Sequence, residues 1–457
     1  MSKFLSSSAQ ALVLLCAAQF MVILDITVVN VALPSIQADL GIAAADLQWV
    51  ITAYTLAFGG LLLLGGRAAD LLGRRRVFLA GLVVFTGASL GAALAHSTGT
   101  LIAARVGQGV GAALLSPAAL SLVTVTFPDG PPRQKALAAW AAVAASGGAF
   151  GVLAGGILTE TLSWQAIFLV NVPVGLAAAA GALRLLPAGT RVSGPLDIAG
   201  ALLATGSLVA LILGLVEAPD AGWGSAQTLG LLAAAAAGLA AFVAHERRHA
   251  APLVALGVFR RRTTSTALVL MIAGMGTVLS TFFFLSQHLQ ETLGHSALRT
   301  GLEFLPGALV LVLTAHAGGH LVARVGAKAV LATGMALGAG GALLLSGLEA
   351  GGSYAADVLP GLLVLDAGIG LAAAGIFITA MAGVGHAEAG LVSGLTSTAH
   401  ELGAALVLPV LSTVAVSGGV DDVFRVAAAI TGAAAVLALV ALRRGDVAAA
   451  PHTAFAH

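Results

Sequence analysis

Long apolar stretches separated by short polar gaps run through the chain from one end to the other. Most of them approach the ~20 residues that an α-helix needs to cross a bilayer core. Their apolar residues are continuous, whereas the strands of a membrane barrel alternate over ~10 residues, so the pattern favours helices. It predicts an all-α polytopic membrane protein with about fourteen spanning helices, near residues 11–33, 46–66, 77–95, 100–127, 136–159, 164–186, 195–216, 227–244, 263–287, 301–322, 328–347, 357–380, 388–416 and 424–442.

The basic residues fall in every second gap between these stretches. With the N-terminus placed inside, the inside gaps hold 18 of the 21 Lys and Arg residues, and the outside gaps hold only Arg299 and Arg425. Basic loops stay in the cytoplasm during insertion, so both termini are expected there. Arg outnumbers Lys 18 to 3, a bias typical of GC-rich bacterial genomes, which makes a bacterial plasma membrane the expected location.

Composition narrows the possible functions further. With 59% hydrophobic and 9% charged residues, the chain does not resemble a soluble enzyme, and it has no strongly basic face for nucleic acid. The single cysteine, Cys16, excludes an intramolecular disulfide. The chain has no Gly-Lys pair, so it lacks the phosphate-binding loop of an ATP-driven pump. We therefore expect no cofactor, no enzymatic activity, and either an ion gradient or the substrate's own gradient as the energy source.

A weak internal repeat divides the chain. The segment Gly65–Arg76 is echoed 253 residues later by Gly318–Lys328, and both segments join two predicted helices on the basic side. A parallel repeat of this kind indicates two halves of similar topology around a central cavity. The predicted domains are a six-helix bundle at 1–190, an inserted two-helix hairpin at 191–250 and a second six-helix bundle at 251–457.

Five motifs stand out along the sequence: Leu24–Pro34, Gly66–Arg76, Leu101–Gly111, Gly147 with Gly151, Gly155 and Gly156, and Ser163-Trp164 with Phe168–Gly175. They cover the first helix, the loop after the second, the fourth helix with an intramembrane Arg, the glycines of the fifth helix and the start of the sixth. Together these motifs resemble the major facilitator superfamily, and specifically its fourteen-helix drug:proton antiporters. The sequence departs from the family pattern at Leu71, at Val152, where Pro is usual, and at Gln165-Ala166.

The resemblance implies a major facilitator fold and an exporter that exchanges protons for an amphipathic drug or natural product, acting as a monomer in the lipid bilayer. It also implies a cytoplasmic gate at Gly66, Asp70, Gly73, Arg74 and Arg75, and an antiporter helix at Gly147, Gly151, Gly155 and Gly156. Glycines at four-residue spacing also let helices pack closely, which explains most of them without a transport role. Two other functions stay open: a proton symporter that imports a small nutrient, and a non-transporting sensor or lipid scramblase.

A few ionisable residues interrupt the apolar stretches, and each needs an explanation. An ionised group in hydrocarbon costs ~2.5–3.5 kcal/mol on insertion scales, so such residues usually face a cavity and carry function. The alternatives are a structural hydrogen bond between helices or a position near the membrane interface. The candidates for proton coupling are Asp25, Arg105, Asp366, Glu401, Glu303 and His400.

Asp25 and Arg105 are the main candidates. Burial raises a carboxyl pKa and a neighbouring cation lowers it, so a carboxyl that moves between such surroundings can load and release a proton. Arg105 cannot readily lose its charge and needs an acceptor, and Gln108 lies one turn further on the same face. Asp25, Gln108, Asp366 and Asn30 are the candidate cavity residues, although Asn30 is about 140° around the helix from Asp25, which favours a packing contact.

The remaining candidates lie towards the C-terminus. Asp366 belongs to no family motif, which makes it a candidate for coupling or substrate choice specific to this protein. Glu303 is equally compatible with an interfacial position. His400 and Glu401 point ~100° apart on a helix, so one of them is expected to face the cavity. The histidines and carboxylates show no metal-ligand spacing, so no metal site is expected.

Overall fold

In the computed structural model, every regular element of the described residues is helical. The structure describes residues 2–43, 46–127, 131–186, 197–249, 252–348, 351–384, 388–443 and 445–446. The helices are α1 (Ser2–Leu40), α2 (Trp49–Leu72), α3 (Arg74–Ala93), α4 (Thr98–Thr126), α5 (Pro131–Thr161), α6 (Ala166–Leu169), α7 (Asn171–Leu185), α8 (Ile198–Ala221), α9 (Ala226–Glu246), α10 (Arg262–Gln287), α11 (Ala297–Val325), α12 (Ala327–Leu345), α13 (Leu359–Ala380) and α14 (Ala389–Ala441).

Short irregular turns flank two of these helices. A 3₁₀ turn at Leu256–Arg260 precedes α10, a π-helical turn at His288–Thr292 follows it, and a second π-helical turn at Tyr354–Val358 precedes α13. Inside α14 the backbone leaves helical geometry at Gly419, where φ is 76°, so α14 consists of two helices joined at that residue.

Twelve helices within the described ranges are long and apolar enough to cross a membrane. The protein is therefore a multi-pass membrane protein, as the hydrophobic pattern predicts. Two further apolar segments, Trp49–Leu62 and Phe150–Thr161, are the described apolar parts of the longer helices α2 and α5. The all-helical fold class is confirmed, and the count of fourteen stays a prediction.

The chain forms two compact units. The first contains Met1–Leu253 with Phe282–Leu305, and the second contains Val254–Thr281 with Pro306–His457. The inserted hairpin, which the sequence suggests as a separate segment, clusters with the first unit, where α8 packs against both α9 and α2. The Thr205 hydroxyl donates to the Gly60 carbonyl oxygen at 2.8 Å and fastens α8 to α2.

The two turns of the predicted repeat share the same backbone geometry. Gly73 ends α2 with φ 99°, and Gly326, 253 positions later, ends α11 with φ 84°. Glycine is the residue that adopts positive φ without a steric penalty. In each case a second long helix starts at the next residue.

The helices around these turns also pack in the same way. A Cβ atom on Gly81 of α3 would lie 2.7 Å from the Leu115 nitrogen of α4, and one on Gly334 of α12 would lie 2.7 Å from the Gly368 oxygen of α13. Gly65 and Gly318, which open the two repeat segments, face the backbone of α4 and of α13 in the same manner. The structure thus supports the repeat, with α2, α3 and α4 matched by α11, α12 and α13.

The glycines of α5 face α1 along one stripe. A Cβ atom on Gly147 would lie 2.9 Å from Ile23 Cγ2, and one on Gly155 would lie 2.7 Å from the Val28 carbonyl oxygen. Gly151 meets Thr27 between them, and the neighbouring Gly156 instead faces the Ala297 oxygen at the start of α11. Close packing therefore requires these small residues. Their part in antiport stays a prediction.

We expect Gly155→Ala to lower the free energy of unfolding by about 1–3 kcal/mol, because the new methyl group would force α5 away from Val28. Gly87→Ala in α3 is the matched control, since nothing lies within 4 Å of its position and alanine is the better helix former. Unfolding of both purified variants in mixed micelles measures the difference. Equal stability of the two variants would contradict the close packing of α5 on α1.

Candidate functional site

A cluster of polar side chains lies in the interior of the first unit. Its members come from five helices, and each is 1% exposed or less: Asp25 of α1, Tyr54 of α2, Ser89 of α3, Arg105 and Gln108 of α4, and Asn171 of α7. Polar groups buried so completely must be hydrogen-bonded to be stable.

Helix α4 positions the cluster. Arg105 and Gln108 are three residues apart and share one face of the helix. Two glycines on α4 then allow the neighbouring helices to come close. A Cβ atom on Gly109 would lie 2.5 Å from the backbone carbonyl oxygen of Tyr54, and one on Gly111 would lie 2.5 Å from the backbone nitrogen of Phe85. The side chains of α2 and α3 can therefore reach the same small volume.

Arg105 is held from several sides. Its Nη1 donates to Asp25 Oδ2 and, at 2.8 Å, to Gln108 Oε1, while its Nε donates to the Val50 carbonyl oxygen at 2.8 Å. The guanidinium carbon lies 4.4 Å from the centre of the Tyr54 ring, which is within cation–π range. A charge that cannot be removed by deprotonation is thus matched by one carboxylate, two neutral acceptors and an aromatic face.

Asp25 accepts hydrogen bonds through both carboxylate oxygens. Its Oδ2 accepts from Arg105, and its Oδ1 accepts from Gln108 Nε2 and from Asn171 Nδ2, both at 2.8 Å. The same two amides donate to Ser89 Oγ at 2.9 and 3.4 Å. An ionised carboxylate is purely an acceptor, so three donors around Asp25 match its charged form.

The arrangement allows one simple chemical change. If Asp25 took up a proton, Arg105 would lose its counter-charge but would keep the Val50 and Gln108 oxygens as acceptors. The protonated acid would need an acceptor of its own, and the three side-chain groups that contact it in this structure are all donors. Proton uptake at Asp25 would therefore require this contact to rearrange.

Sequence patterns predicted only part of this cluster. They indicated Asp25, Arg105 and Gln108, but they assigned no role to Asn171, Ser89 or Tyr54. Asn171 lies within the motif at the start of the sixth predicted helix, and that position is the one feature of the sequence that could have identified it as a site residue. A neutral hydroxyl or amide in an apolar stretch does not stand out as a charge does, so the other two had none.

Asn30 lies outside the cluster. It is buried, and its Nδ2 donates to the Ile26 carbonyl oxygen of its own helix at 3.1 Å. Its backbone carbonyl accepts from Ser286 Oγ of α10 at 2.8 Å. These contacts agree with the packing role that its position on the helix favoured.

Glu303 forms a separate cluster at the start of α11. Its Oε2 lies 2.7 Å from His295 Nδ1, and its Oε1 accepts from Arg299 Nε at 3.0 Å. The Arg299 side chain is 61% exposed, whereas that of Glu303 is 9% exposed. Glu303 is therefore a largely buried carboxyl with two basic partners, one of them exposed, and its interfacial position stays a prediction.

Asp366 of α13 lies in the second unit and has different surroundings. It is 1% exposed, and its Oδ2 has no hydrogen-bond partner within the described ranges. The carboxyl lies against Gly307 of α11, where a Cβ atom would collide with Oδ2. An ionised carboxylate without a partner is costly in such a place, whereas a protonated acid is tolerated.

His400 and Glu401 contact each other, although adjacent helix positions point in different directions. His400 Nδ1 lies 3.1 Å from Glu401 Oε1, and the Glu401 side chain is 10% exposed against 37% for His400. The two residues thus form one contacting pair, and which of them faces the cavity stays a prediction.

The predicted gate is described in part. Gly73 forms the turn between α2 and α3, and a Cβ atom on Gly66 would lie 3.7 Å from Pro117 Cβ. Arg75 Nη2 donates to the Leu183 carbonyl oxygen at the end of α7 at 2.7 Å, and Arg74 opens α3. The side chain of Asp70 lies outside the described part of the structure, so its gating role stays a prediction.

Comparison with known proteins gives one family match. Residues 15–408 match the family model described as Major Facilitator Superfamily. Among solved structures, the crystal structure of the peptide transporter POT has a TM-score of 0.70 and 16% sequence identity, with 94% of this chain and 93% of the other covered. At that identity the similarity concerns the fold.

Several curated proteins are similar over most of both chains. The cephamycin export protein CmcT of Amycolatopsis lactamdurans is 44% identical, covering 90% of this chain and 86% of its own. The puromycin resistance protein pur8 of Streptomyces alboniger is 41% identical, with 88% and 81% covered. The lincomycin resistance protein of Streptomyces lincolnensis is 39% identical, with 96% and 92% covered.

The ion pair can be tested by a double-mutant cycle. We expect Asp25→Asn to lower the free energy of unfolding by about 3–5 kcal/mol, because Arg105 would keep a buried charge without its counter-ion. Asp25→Asn combined with Arg105→Gln removes both charges, so the double variant should cost about 1–3 kcal/mol less than the sum of the single variants. Unfolding of the four proteins in mixed micelles measures this coupling. Strictly additive costs would mean that the two charges do not stabilise each other.

Proposed function

The chain belongs to the Major Facilitator Superfamily, and we propose that it exports an amphipathic drug or natural product from the bacterial cell in exchange for protons. Similarity to proteins named for cephamycin export, puromycin resistance and lincomycin resistance, each over more than four fifths of this chain, carries the proposal. The proposal has three further parts. The substrate crosses the plasma membrane through one alternating-access cavity, the transporter acts as a monomer, and it catalyses no enzymatic reaction.

Export is favoured over nutrient import by the distribution of polar groups. A nutrient symporter needs several fixed polar contacts in each half to recognise a small hydrophilic substrate. In the described part of the first unit, the intramembrane charges Asp25 and Arg105 are already hydrogen-bonded to each other and to neighbouring side chains. An amphipathic substrate recognised largely through apolar contacts suits such a protein better.

Proton coupling is proposed to run through Asp25 and Arg105. When the site opens to the outside, water loosens the pair and Asp25 accepts a proton as the substrate leaves. Closure removes water and keeps the acid neutral. When the site opens inward, Arg105 returns to the carboxylate and favours proton release. One charge crossing 100 mV supplies ~2.3 kcal/mol for each cycle.

Asp366 is proposed as the complementary carboxyl of the second unit. Asp25 is surrounded by donors, whereas one oxygen of Asp366 has no partner in the described structure. Two carboxyls whose surroundings favour opposite protonation states can serve as acceptor and donor of a proton in the same cycle. Glu401, with His400 beside it, is the next candidate in that unit.

Export is tested by a susceptibility screen in an efflux-deficient bacterial host. We expect expression of the chain to raise the inhibitory concentration of at least one antibiotic several-fold, with cephamycins, puromycin and lincomycin tested first. Asp25→Asn at the same expression level is the matched variant and should lose the protection. If no compound is tolerated better and uptake of a small nutrient rises instead, the symporter function replaces this proposal.

Coupling is tested in proteoliposomes that contain a pH-sensitive dye. We expect Asp25→Asn to abolish substrate-induced proton release, because the amide cannot carry a proton. Asp39→Asn on the same helix is the control: Asp39 accepts from Trp164 Nε1 at 2.8 Å, which an amide oxygen can also do. If Asp25→Asn kept the wild-type signal and Asp366→Asn lost it, the essential carrier would lie in the second unit.

A further inference from the structure

The base of the α8–α9 hairpin holds a group of side chains that the transport mechanism does not use. Asp197 immediately precedes α8, His245 lies in the last turn of α9, and His249 follows that helix. One ligand atom from each of the three residues lies within 4.8 Å of the other two. The two ends of the hairpin, 48 residues apart in the chain, thus meet at one point.

The distances between the possible ligand atoms are close to those between the ligands of a bound metal ion. His245 Nε2 lies 2.7 Å from Asp197 Oδ1, and His249 Nδ1 lies 3.9 Å from Asp197 Oδ2. Ligands about 2.0–2.2 Å from a tetrahedral zinc ion are about 3.4 Å from one another. The two observed distances, which involve different oxygens of Asp197, lie on both sides of that value, and all three ligand atoms lie within 4.8 Å of one another, so small side-chain rotations would admit an ion.

The charge at this place favours a cation. Asp197 is 4% exposed. Burial acts to raise its pKa, but the N–H of Gly200, which donates at 2.8 Å, and the contact with His245 act against it, and the net pKa is lowered. Glu246, also 4% exposed, brings a second carboxyl to the same space, since a Cβ atom on Gly200 would lie 2.5 Å from its Oε1. Two buried carboxyl groups beside two imidazoles form a set that a divalent ion would neutralise.

The histidines are placed so that an ion can enter. Their side chains are 29% and 27% exposed, while the Asp197 side chain is 2% exposed. Solvent therefore reaches the open side of the group, where a water molecule can complete the coordination. Local spacing in the sequence predicted no metal site, because this set forms only when the hairpin brings Asp197 to the end of α9.

We propose that Asp197, His245 and His249 form a binding site for a borderline divalent transition-metal ion, with Zn²⁺ as the best fit. Two imidazole nitrogens and one carboxylate oxygen are ligands that zinc accepts at tetrahedral geometry, whereas Mg²⁺ and Ca²⁺ prefer sets made of oxygen alone. The ion would replace the direct contact between His245 and Asp197 and would join the start of α8 to the end of α9.

Binding is measured on the full-length protein purified without a polyhistidine tag. Isothermal titration with ZnCl₂ in detergent should give one ion per chain, and Co²⁺ should give the visible absorption of a tetrahedral site. Because an ion that binds only the folded state stabilises it, the melting temperature should rise with zinc concentration. MgCl₂ at the same concentration should cause no such rise.

Variants separate this site from other histidines. Loss of an outer-shell partner alone lowers metal affinity 10–100-fold, so His245→Ala and His249→Ala should weaken zinc binding by about 100-fold. Asp197→Asn should do the same while keeping its contact with the Gly200 N–H, since asparagine caps a helix as well as aspartate.

The control is a second pair of histidines at the same helical spacing. His316 and His320 of α11 have ring centroids 5.0 Å apart, close to the 5.1 Å of His245 and His249, but among the described residues no carboxylate joins them in a three-ligand group. The variant His316→Ala/His320→Ala should bind zinc as the wild type does. Unchanged zinc affinity in Asp197→Asn and His245→Ala, or loss of binding only in the His316/His320 variant, would overturn the proposal.

Discussion

Arg105 carries a charge that no proton transfer can remove, and the interior of the first unit is arranged around it. Its acceptors come from α1, α2 and α4, and an aromatic ring of α2 covers its face. Helices can only contribute to one guanidinium if their backbones approach closely, which explains why glycines of α4 lie at the contacts with α2 and α3. Close helix packing and charge compensation thus have one cause. A cation in a medium that does not solvate it needs acceptors from the protein, and only closely packed helices can supply them.

The sequence predicted the features that carry a large energetic signal. Continuous apolar runs, basic gaps and isolated charges each involve several kcal/mol of transfer free energy, so they indicate spans and buried ion partners directly. Asp25, Arg105 and Gln108 could be predicted in this way. Ser89 and Tyr54 were not, because neutral polar residues are cheap enough to occur in a membrane helix for many reasons. The meeting of Asp197 with His245 depends on how one hairpin closes, and spacing along the chain carries no information about that.

The two halves share packing but differ in their charges. Helices α2–α4 and α11–α13 repeat the same glycine contacts and the same turn geometry, with the turns at Gly73 and Gly326 separated by 253 residues. The contacts of Gly111 with α3 and of Gly368 with α12 are equivalent, so the position that corresponds to Arg105 is Leu362, and Asp366 corresponds to Gly109. A repeat of backbone contacts therefore leaves each half free to hold its own set of ionisable groups. Asp25 has a guanidinium beside it, whereas Asp366 has an oxygen without a partner in the described structure.

The closed base of the hairpin has a consequence for the architecture of the chain. Because Asp197 and His245 are in contact, the hairpin begins and ends at nearly one place. The hairpin packs mainly on itself and reaches the rest of the unit through α2. A different pair of helices that began and ended at the same point could therefore replace this hairpin without disturbing the buried ion pair.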